Sequence, residues 1–365
     1  MIEKLLELDD IVLYPAELNN GFQGSKYNYG VVDDLDRTVS LPIFTSPNDA
    51  ITDNKNWKVW SKEGIRPILP RTEDIQIRLD GCQYIFSAFS LDEVKEYFIS
   101  SGKRGYQNQI RLCIDGGNGE DIEIFNVSTQ LKKMYGNQVN IMAGNIGNPK
   151  TYVNYCKAGI DYVRVGISSG SLVDYNRYGF YYPMGSMLID IAGIKATSCV
   201  GLKPTKIIAD GGISGPVDIL KCIALGADYV MCGRQFVKLF EAAGPIRKKS
   251  KKENNIDVVE EISIEEAVSL VDRLGFKDAG LQRIYCGNTT YELQAKRGGY
   301  NSINDWMSND CKLKPNDARV EFVTISSTLK KWLENMYDCF SYAFTMSNSV
   351  NWKTYKENIK YGRIQ

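Results

Sequence analysis

Two segments of the chain, residues 143–166 and 210–233, align with each other without a gap. The first is AGNIGNPKTYVNYCKAGIDYVRVG and the second is DGGISGPVDILKCIALGADYVMCG. In each copy the end of a strand leads through a glycine-rich loop and a helix to the next strand, which is a βαβ unit. A (β/α)8 barrel is built by repeating this unit, so the repeat favours that fold.

Short runs rich in Val, Ile and Tyr alternate with helix-length amphipathic stretches from about residue 40 to residue 290. We expect strands at residues 41–47, 65–71, 84–90, 110–117, 139–147, 161–167, 206–213 and 228–234. Eight such units in series favour a closed parallel barrel over two smaller domains. The prediction is therefore an α/β protein with the (β/α)8 TIM-barrel fold.

We expect residues 1–365 to form a single barrel domain, with an N-terminal extension at residues 1–40 and a C-terminal helical tail at residues 326–365. The tail is rich in aromatic residues, and we expect it to serve core and subunit packing. Among the helices between strands, LDEVKEYFISSG is typical because Asp92 and Glu93 would lie in its first turn, near the positive end of the helix dipole.

The composition excludes several classes of function. Lys plus Arg and Asp plus Glu both number 44, so no global charge favours nucleic acid or a membrane surface. The chain has no histidine, which excludes a Ser-His-Asp or Cys-His apparatus and a histidine-ligated metal. Its nine cysteines form no CxxC pair, so we expect no metal site and a soluble protein in the reducing cytoplasm.

The basic run RKKSKKENN (247–255) suggests polyanion binding, but we favour a mobile surface insertion.

Four glycine-rich loops follow predicted strands, at residues 114–121, 166–171, 209–214 and 232–236. Glycine lets backbone N–H groups approach an anion, and the loops after strands seven and eight are the usual phosphate site of a barrel. Arg234 would supply a guanidinium counter-charge, and Asp210 could accept hydrogen bonds from two ribose hydroxyls. The alternative is that these glycines only allow the chain to turn.

The order of these motifs resembles the inosine-monophosphate dehydrogenase and GMP reductase family. The matching segments are LDDIVLYPAE (8–17), FTSPNDAIT (44–52), IDGGNG (114–119), AGNIG (143–147), VGISSGS (165–171), IADGGIS (208–214), MCGR (231–234) and YCGNTT (285–290). In length the chain is similar to GMP reductase, and the family's CBS modules have no room between FSLDEVKEYF and IRLCIDGG. The resemblance implies a barrel that binds a purine nucleoside monophosphate, and it suggests a homotetramer.

The resemblance also implies the residues of the site. The phosphate would contact Ser171, Gly212, Gly233, Arg234 and Tyr285. The rest of the nucleotide would contact Ser46, Asn48, Asp210, Gly287, Asn288 and Asn316, with Asp210 on the ribose. NAD or NADP would face Asp115, Gly116 and Asn145. Residues at about 291–315 match the position of the family's mobile flap, where Arg297 and Tyr300 are candidates for the catalytic base.

The chain departs from the family at the catalytic cysteine, whose position is occupied by Val173. Valine has no lone pair with which to attack a purine, so the covalent route is closed. Asp174 could instead hold a water for attack or accept a base N–H. Cys232 and Cys286 flank the phosphate loops, but unpaired cysteine is most often a small buried hydrophobe, so neither is favoured as a substitute.

Two hypotheses follow. In the first, the protein is an oxidoreductase of purine metabolism that acts on an IMP- or GMP-like nucleotide without the usual cysteine. In the second, it is a catalytically inactive homologue that binds the nucleotide in order to sense it, sequester it or complete a complex. A barrel unrelated to nucleotides is a third alternative.

Overall fold

The computed structural model describes residues 5–32, 37–101, 109–168, 179–203, 205–251, 257–287, 290 and 320–364. Within them the strands are β1 Ile11–Tyr14, β2 Val31–Val32, β3 Val39–Ser40, β4 Ile43–Thr45, β5 Ile68–Leu69, β6 Phe86–Phe89, β7 Ile110–Ile114, β8 Val139–Ile146, β9 Tyr162–Val165, β10 Lys206–Asp210, β11 Tyr229–Cys232, β12 Arg247–Lys251, β13 Asp257–Glu261, β14 Leu281–Cys286, β15 Val320–Thr324 and β16 Lys360–Arg363.

The α-helices in the same ranges are α1 Trp57–Lys62, α2 Ile75–Gly81, α3 Leu91–Val94, α4 Ile122–Tyr135, α5 Thr151–Lys157, α6 Met184–Ser198, α7 Pro216–Ala224, α8 Arg234–Val237, α9 Ile264–Asp278, α10 Leu329–Met346 and α11 Trp352–Asn358. The π-helical segment Lys95–Ser100 continues α3. In the described part of the chain, no helix combines the length and the hydropathy needed to cross a membrane.

Strands β4 to β11 form the barrel. They pair in parallel in chain order, and β11 returns to pair with β4. The ring closes between β4 and the approach to β5, because Thr45 N donates to Arg66 O at 2.9 Å and Arg66 N donates to Ile43 O at 2.9 Å. The (β/α)8 fold and its eight predicted strands are therefore confirmed. The strands are shorter than predicted at several positions, because the predicted segments included the loops that follow them.

Aromatic rings fill the middle of the barrel. The ring of Phe44 lies 5.8 Å from that of Phe86, 6.0 Å from that of Tyr162 and 5.2 Å from that of Tyr229, measured between centroids. Alternate residues of a strand point to opposite faces. One set of apolar side chains, which includes Ile68, Met142 and Ile208, packs inside the barrel with these rings, and the other set packs outward against the helices. The interior is thus a packed core, and a ligand can approach the loops at the ends of the barrel.

The predicted helix after β6 is confirmed, and its first turn explains why it begins there. Ser90 Oγ accepts a hydrogen bond from Glu93 N at 3.2 Å, and the Glu93 carboxylate accepts one from Ser90 N at 2.7 Å. This reciprocal pair is a capping box, which satisfies two N–H groups that the helix itself cannot. The buried Arg78 side chain then donates to Glu93 at 2.7 Å and ties α3 to α2.

A second sheet, antiparallel and in the order β13-β12-β14-β15, was not predicted. Its strand β12 contains the start of the basic run, and β13 is acidic: Arg247 lies opposite Glu261, and Lys248 lies opposite Glu260. Opposite charges on paired strands stabilise a hairpin. Residues 247–251 are therefore part of a strand that the sequence did not predict, and residues 252–255 lie outside the described part. That the insertion is mobile stays a prediction.

The N-terminal extension and the C-terminal tail pack on each other. After α10 and α11 the tail ends in β16, which pairs antiparallel with β1. Trp352 Nε1 donates to Tyr29 O at 2.8 Å, and Lys221 Nζ of α7 donates to Leu8 O at 2.8 Å. These contacts hold both chain ends against the helical side of the barrel.

Candidate functional site

The loops at the carboxyl ends of the barrel strands contain the described candidate residues. Because all eight strands are parallel, these loops lie on one face of the barrel. They place Ser46 and Asn48 after β4, Asp115 and Gly116 after β7, Asn145 at the end of β8, Asp210 and Gly212 at the end of β10, and Gly233 and Arg234 after β11. Tyr285 and Gly287 come from β14 and the residues that follow it.

A buried charge network lies at the centre of this face. Arg164 of β9 donates from Nε to Asp210 Oδ2 and from Nη1 to Asp115 Oδ1, both at 2.9 Å. Asn145 Nδ2 donates to the same Asp210 oxygen at 2.8 Å. The Arg164, Asp115 and Asp210 side chains are 8%, 5% and 14% exposed. One arginine therefore joins the predicted ribose residue to a predicted cofactor residue.

The electrostatics of this network keep Arg164 charged. Burial alone would lower the pKa of its guanidinium, but the negative charges around it, Asp210 first, outweigh burial and raise that pKa above its ordinary value. Arg71, which follows β5, adds a second guanidinium by donating from Nη1 to the Asp115 carbonyl oxygen at 3.1 Å. The Asp115 loop is thus held by two cations, one from β9 and one from the residues after β5.

Sequence reasoning missed Arg164 because it considered only the loops. The signal was a charged residue in the otherwise apolar strand YVRV, since a buried arginine is rare unless it is paired. The sequence did predict Asn145, whose amide also donates to Gly166 O at 3.0 Å. Its neighbour must be glycine, because a Cβ at Gly144 would lie 2.5 Å from Arg164 O.

Three predicted nucleotide-contacting residues lie close together, and they come from the loops after β4 and β11 and from β14. A Cβ on Gly233 would lie 2.3 Å from the Tyr285 hydroxyl and 3.8 Å from Ser46 Cβ, so Ser46, Gly233 and Tyr285 lie together. Ser46 N also donates to Cys232 O at 2.9 Å. In the loop after β10, Gly212 has a φ of 73°, a backbone conformation that favours glycine.

Two further residues support these loops and were not predicted. Gln235 Nε2 donates to Ile213 O at 3.0 Å, and Trp332 Nε1 of α10 donates to Gln235 Oε1 at 3.2 Å. Gln235 is buried, so both ends of its amide are used inside the protein. The loop after β10 is thereby tied to α8 and to the C-terminal tail.

The Arg234 guanidinium and the Tyr285 hydroxyl are the polar side-chain groups next to Gly233. Arg234 Nε donates to Glu321 Oε2 at 2.8 Å, an ion pair that the sequence did not predict. Burial raises the pKa of the Tyr285 hydroxyl, and the nearby Asp210 and Glu321 carboxylates raise it further. Tyr285 is therefore neutral at physiological pH and can donate a hydrogen bond.

Asn48 was predicted to contact the nucleotide, and in the structure its amide contacts the chain itself. Asn48 Nδ2 donates to Cys286 O at 2.8 Å, and Asn48 Oδ1 accepts from Ala50 N at 3.0 Å. The residue is 4% exposed. Asn48 thus joins the loop after β4 to the end of β14, next to Gly287.

The remaining site predictions lie outside the described residues: Ser171, Val173, Asp174, Asn288, Arg297, Tyr300 and Asn316. Of the two cysteines considered as substitute nucleophiles, Cys232 is fully buried against the helices, and burial raises the pKa of its thiol. Cys286 is partly exposed. Among the residues that the structure describes, no three or more acidic or cysteine side chains form a group that could hold a metal ion.

Comparison with known proteins finds one matching family model and several relatives. Residues 108–255, which include β7 to β11, match the model of the IMP dehydrogenase / GMP reductase domain. A GMP reductase of Bacillus licheniformis is 27% identical over 262 residues, which are 69% of this chain and 76% of that protein. GMP reductase 1 of Homo sapiens is 33% identical over 140 residues, 38% of this chain and 39% of its own length.

An inosine-5'-monophosphate dehydrogenase of Chlorobaculum parvum is 32% identical over 134 residues, which are 36% of this chain and 26% of that protein. The match to this relative and to the human one therefore spans less than half of their own lengths. The family model spans β7 to β11, which bring Asp115, Arg164 and Asp210 to the candidate site. These similarities support membership of the IMP dehydrogenase / GMP reductase family.

Proposed function

We propose that the carboxyl-end face of the barrel binds a purine nucleoside monophosphate similar to IMP or GMP. The observation that carries this proposal is the Asp210–Arg164–Asp115 network beside the convergence of Ser46, Gly233 and Tyr285. A carboxylate fixed in place suits a ribose, and glycine backbone beside a tyrosine hydroxyl and a guanidinium suits a phosphate. The names of the relatives, GMP reductase and inosine-5'-monophosphate dehydrogenase, support a purine base.

In this proposal the phosphate contacts Ser171, Gly212, Gly233, Arg234 and Tyr285, and the base side contacts Gly287, Asn288 and Asn316. Asn48 supports Gly287 through its hydrogen bond to Cys286 O. Arg164 and Asn145 donate to Asp210 and hold its carboxylate in place, and the ribose hydroxyls would donate to that carboxylate. Because Tyr285 is neutral, it can donate to a phosphate oxygen without adding negative charge.

NAD or NADP is the cofactor that the donor set fits. A nicotinamide carboxamide carries N–H donors, and the Asp115 carboxylate and Asn145 Oδ1 are acceptors of the matching kind, whereas the Asn145 N–H groups already bind Gly166 and Asp210. Gly116 leaves the edge of this loop without a side chain. When bound, the cofactor would accept or supply a hydride. Arg164 would hold Asp115 in place while Asp115 orients the carboxamide.

The reaction we propose does not use a cysteine, because residues 169–178 contain none and Val173 stands at the family's nucleophile position. Asp174 would hold the attacking water, and Arg297 or Tyr300 would act as the base. The alternative is a catalytically inactive homologue that binds the nucleotide as a sensor, a sequestering protein or a member of a complex. We further propose a homotetramer in the cytoplasm that uses no metal in the chemistry.

A thermal-shift screen tests the proposal, with IMP, XMP, GMP and their deoxy forms, each with and without NAD(P) or NAD(P)H. Stabilisation by a nucleotide alone supports a binding protein, and further stabilisation by cofactor supports an enzyme. Asp210→Ala should abolish the nucleotide shift, whereas Val173→Cys should preserve it. If Val173→Cys gains IMP oxidation, the rest of the catalytic site is sound. Wild-type protein that no purine nucleoside monophosphate stabilises would contradict the proposal.

A further inference from the structure

Arg234 and Glu321 form an ion pair directly beside the proposed phosphate site. Arg234 is the first residue of α8 and follows Gly233, while Glu321 is the second residue of β15. Arg234 Nε and Glu321 Oε2 are 2.8 Å apart, and the two side chains are 45% and 24% exposed. The pair therefore lies at the protein surface, where a soluble ligand can reach it.

The position of Glu321 is fixed by the second sheet. In the register of β14 with β15, Glu321 lies opposite Tyr285. The hydroxyl of Tyr285 contacts Gly233, so the hairpin places the carboxylate at the edge of the loop that precedes α8. The negative charge of Glu321 also raises the pKa of Tyr285, which is consistent with this proximity.

A phosphate and Glu321 would compete for the same guanidinium. Arginine has five N–H donors, and Glu321 engages the one on Nε. A phosphate monoester carries a charge of about −1.5 to −2 at pH 7, so it repels a carboxylate bound to the same cation. A neutral nucleoside feels no such repulsion and gains nothing from Arg234. Glu321 should therefore change the binding of the phosphate and not the binding of the base or the ribose.

We propose that Glu321 is a charge-selecting residue of the nucleotide site. The Glu321 carboxylate binds Arg234 until a phosphate dianion displaces the carboxylate. This competition weakens the binding of every phosphate, and it weakens the binding of anions of lower charge most. This inference rests on the proposed function, because it assumes that the phosphate of the nucleotide lies beside Gly233 and Arg234.

The test compares Glu321→Gln with wild type and with Glu334→Gln, which removes the same charge from an exposed position on α10. Dissociation constants for GMP, guanosine and inorganic phosphate are measured by calorimetry at low salt. Exposed ion pairs contribute up to about 1 kcal/mol, so Glu321→Gln should bind GMP and phosphate about fivefold more tightly. Guanosine binding should not change, and Glu334→Gln should behave like wild type. In an Arg234→Gln background the gain from Glu321→Gln should shrink.

The outcomes separate this inference from the proposed function. If wild type binds GMP but Glu321→Gln binds it equally or more weakly, the charge-selecting role is wrong and the nucleotide site stands. If Glu321→Gln strengthens phosphate binding while GMP binds no better than phosphate, the role of Glu321 stands and the nucleotide proposal fails. If no variant binds GMP or phosphate, both are overturned.

Discussion

Replacing Arg164 by methionine is the perturbation that most directly tests the buried network. The side chain of Arg164 is 8% exposed and donates at 2.9 Å to both Asp115 and Asp210. Methionine has a similar length and fills the same space, but it leaves two carboxylates without their cation. The structure thus predicts a loss of stability from electrostatics with little change in packing.

The expected magnitude follows from the burial of the network. Removing one partner of a buried ion pair costs about 3–5 kcal/mol, because the remaining charge keeps its desolvation cost without compensation. For a chain of this size a urea m-value of about 4 kcal/mol/M converts about 4 kcal/mol into a midpoint lowered by about 1 M. Arg164→Lys keeps the charge but loses the planar fork, so it should fall between wild type and Arg164→Met.

The assay is urea unfolding followed by fluorescence at about pH 7. The midpoint of Arg164→Met should lie about 1 M below that of wild type, with Arg164→Lys between the two. Equal midpoints for Arg164→Met and wild type would refute the account of the network.

Two other predictions concern a loop and a buried acid. Gly233→Ala should weaken GMP binding at least tenfold in calorimetry, since the new Cβ would lie 2.3 Å from the Tyr285 hydroxyl. The control is Gly215→Ala, which should bind GMP like wild type because no atom lies within 4 Å of its Cβ. Equal affinities would count against a site at Gly233. Burial alone would raise the pKa of Asp228, but Lys356 and other cations lower it below its ordinary value. The ionised Asp228 therefore stabilises the fold above about pH 4, and this contribution is lost on further acidification. Asp228→Asn should therefore show a shallower acid dependence of Tm, and an unchanged slope would exclude this role.

The barrel could be predicted from the sequence because its signals are local. The repeat at residues 143–166 and 210–233 carries strand, loop, helix and strand in order, and β8 to β11 follow that pattern. Glycines such as Gly233 mark the loops, since close approach of another side chain leaves no room for a Cβ there. The sequence could therefore predict that the candidate site lies at the carboxyl ends of the barrel strands.

The pairings across the site were not predictable, because they join residues far apart in the chain. Arg164 is separated by 49 residues from Asp115 and by 46 from Asp210, and the pairing of β7 to β10 in one sheet brings them together. Arg234 and Glu321 are 87 residues apart and meet through a sheet that the sequence did not suggest. Charged strands such as β12 lack the apolar alternation by which strands are recognised.

The central claim is that a purine nucleoside monophosphate binds at the carboxyl ends of the barrel strands. A crystal structure of the protein grown with GMP tests it most directly. We predict density for a phosphate between the loops of Gly212 and Gly233, with the ribose hydroxyls on Asp210. A nucleotide bound elsewhere, with no ligand on these loops at saturating GMP, would contradict the claim.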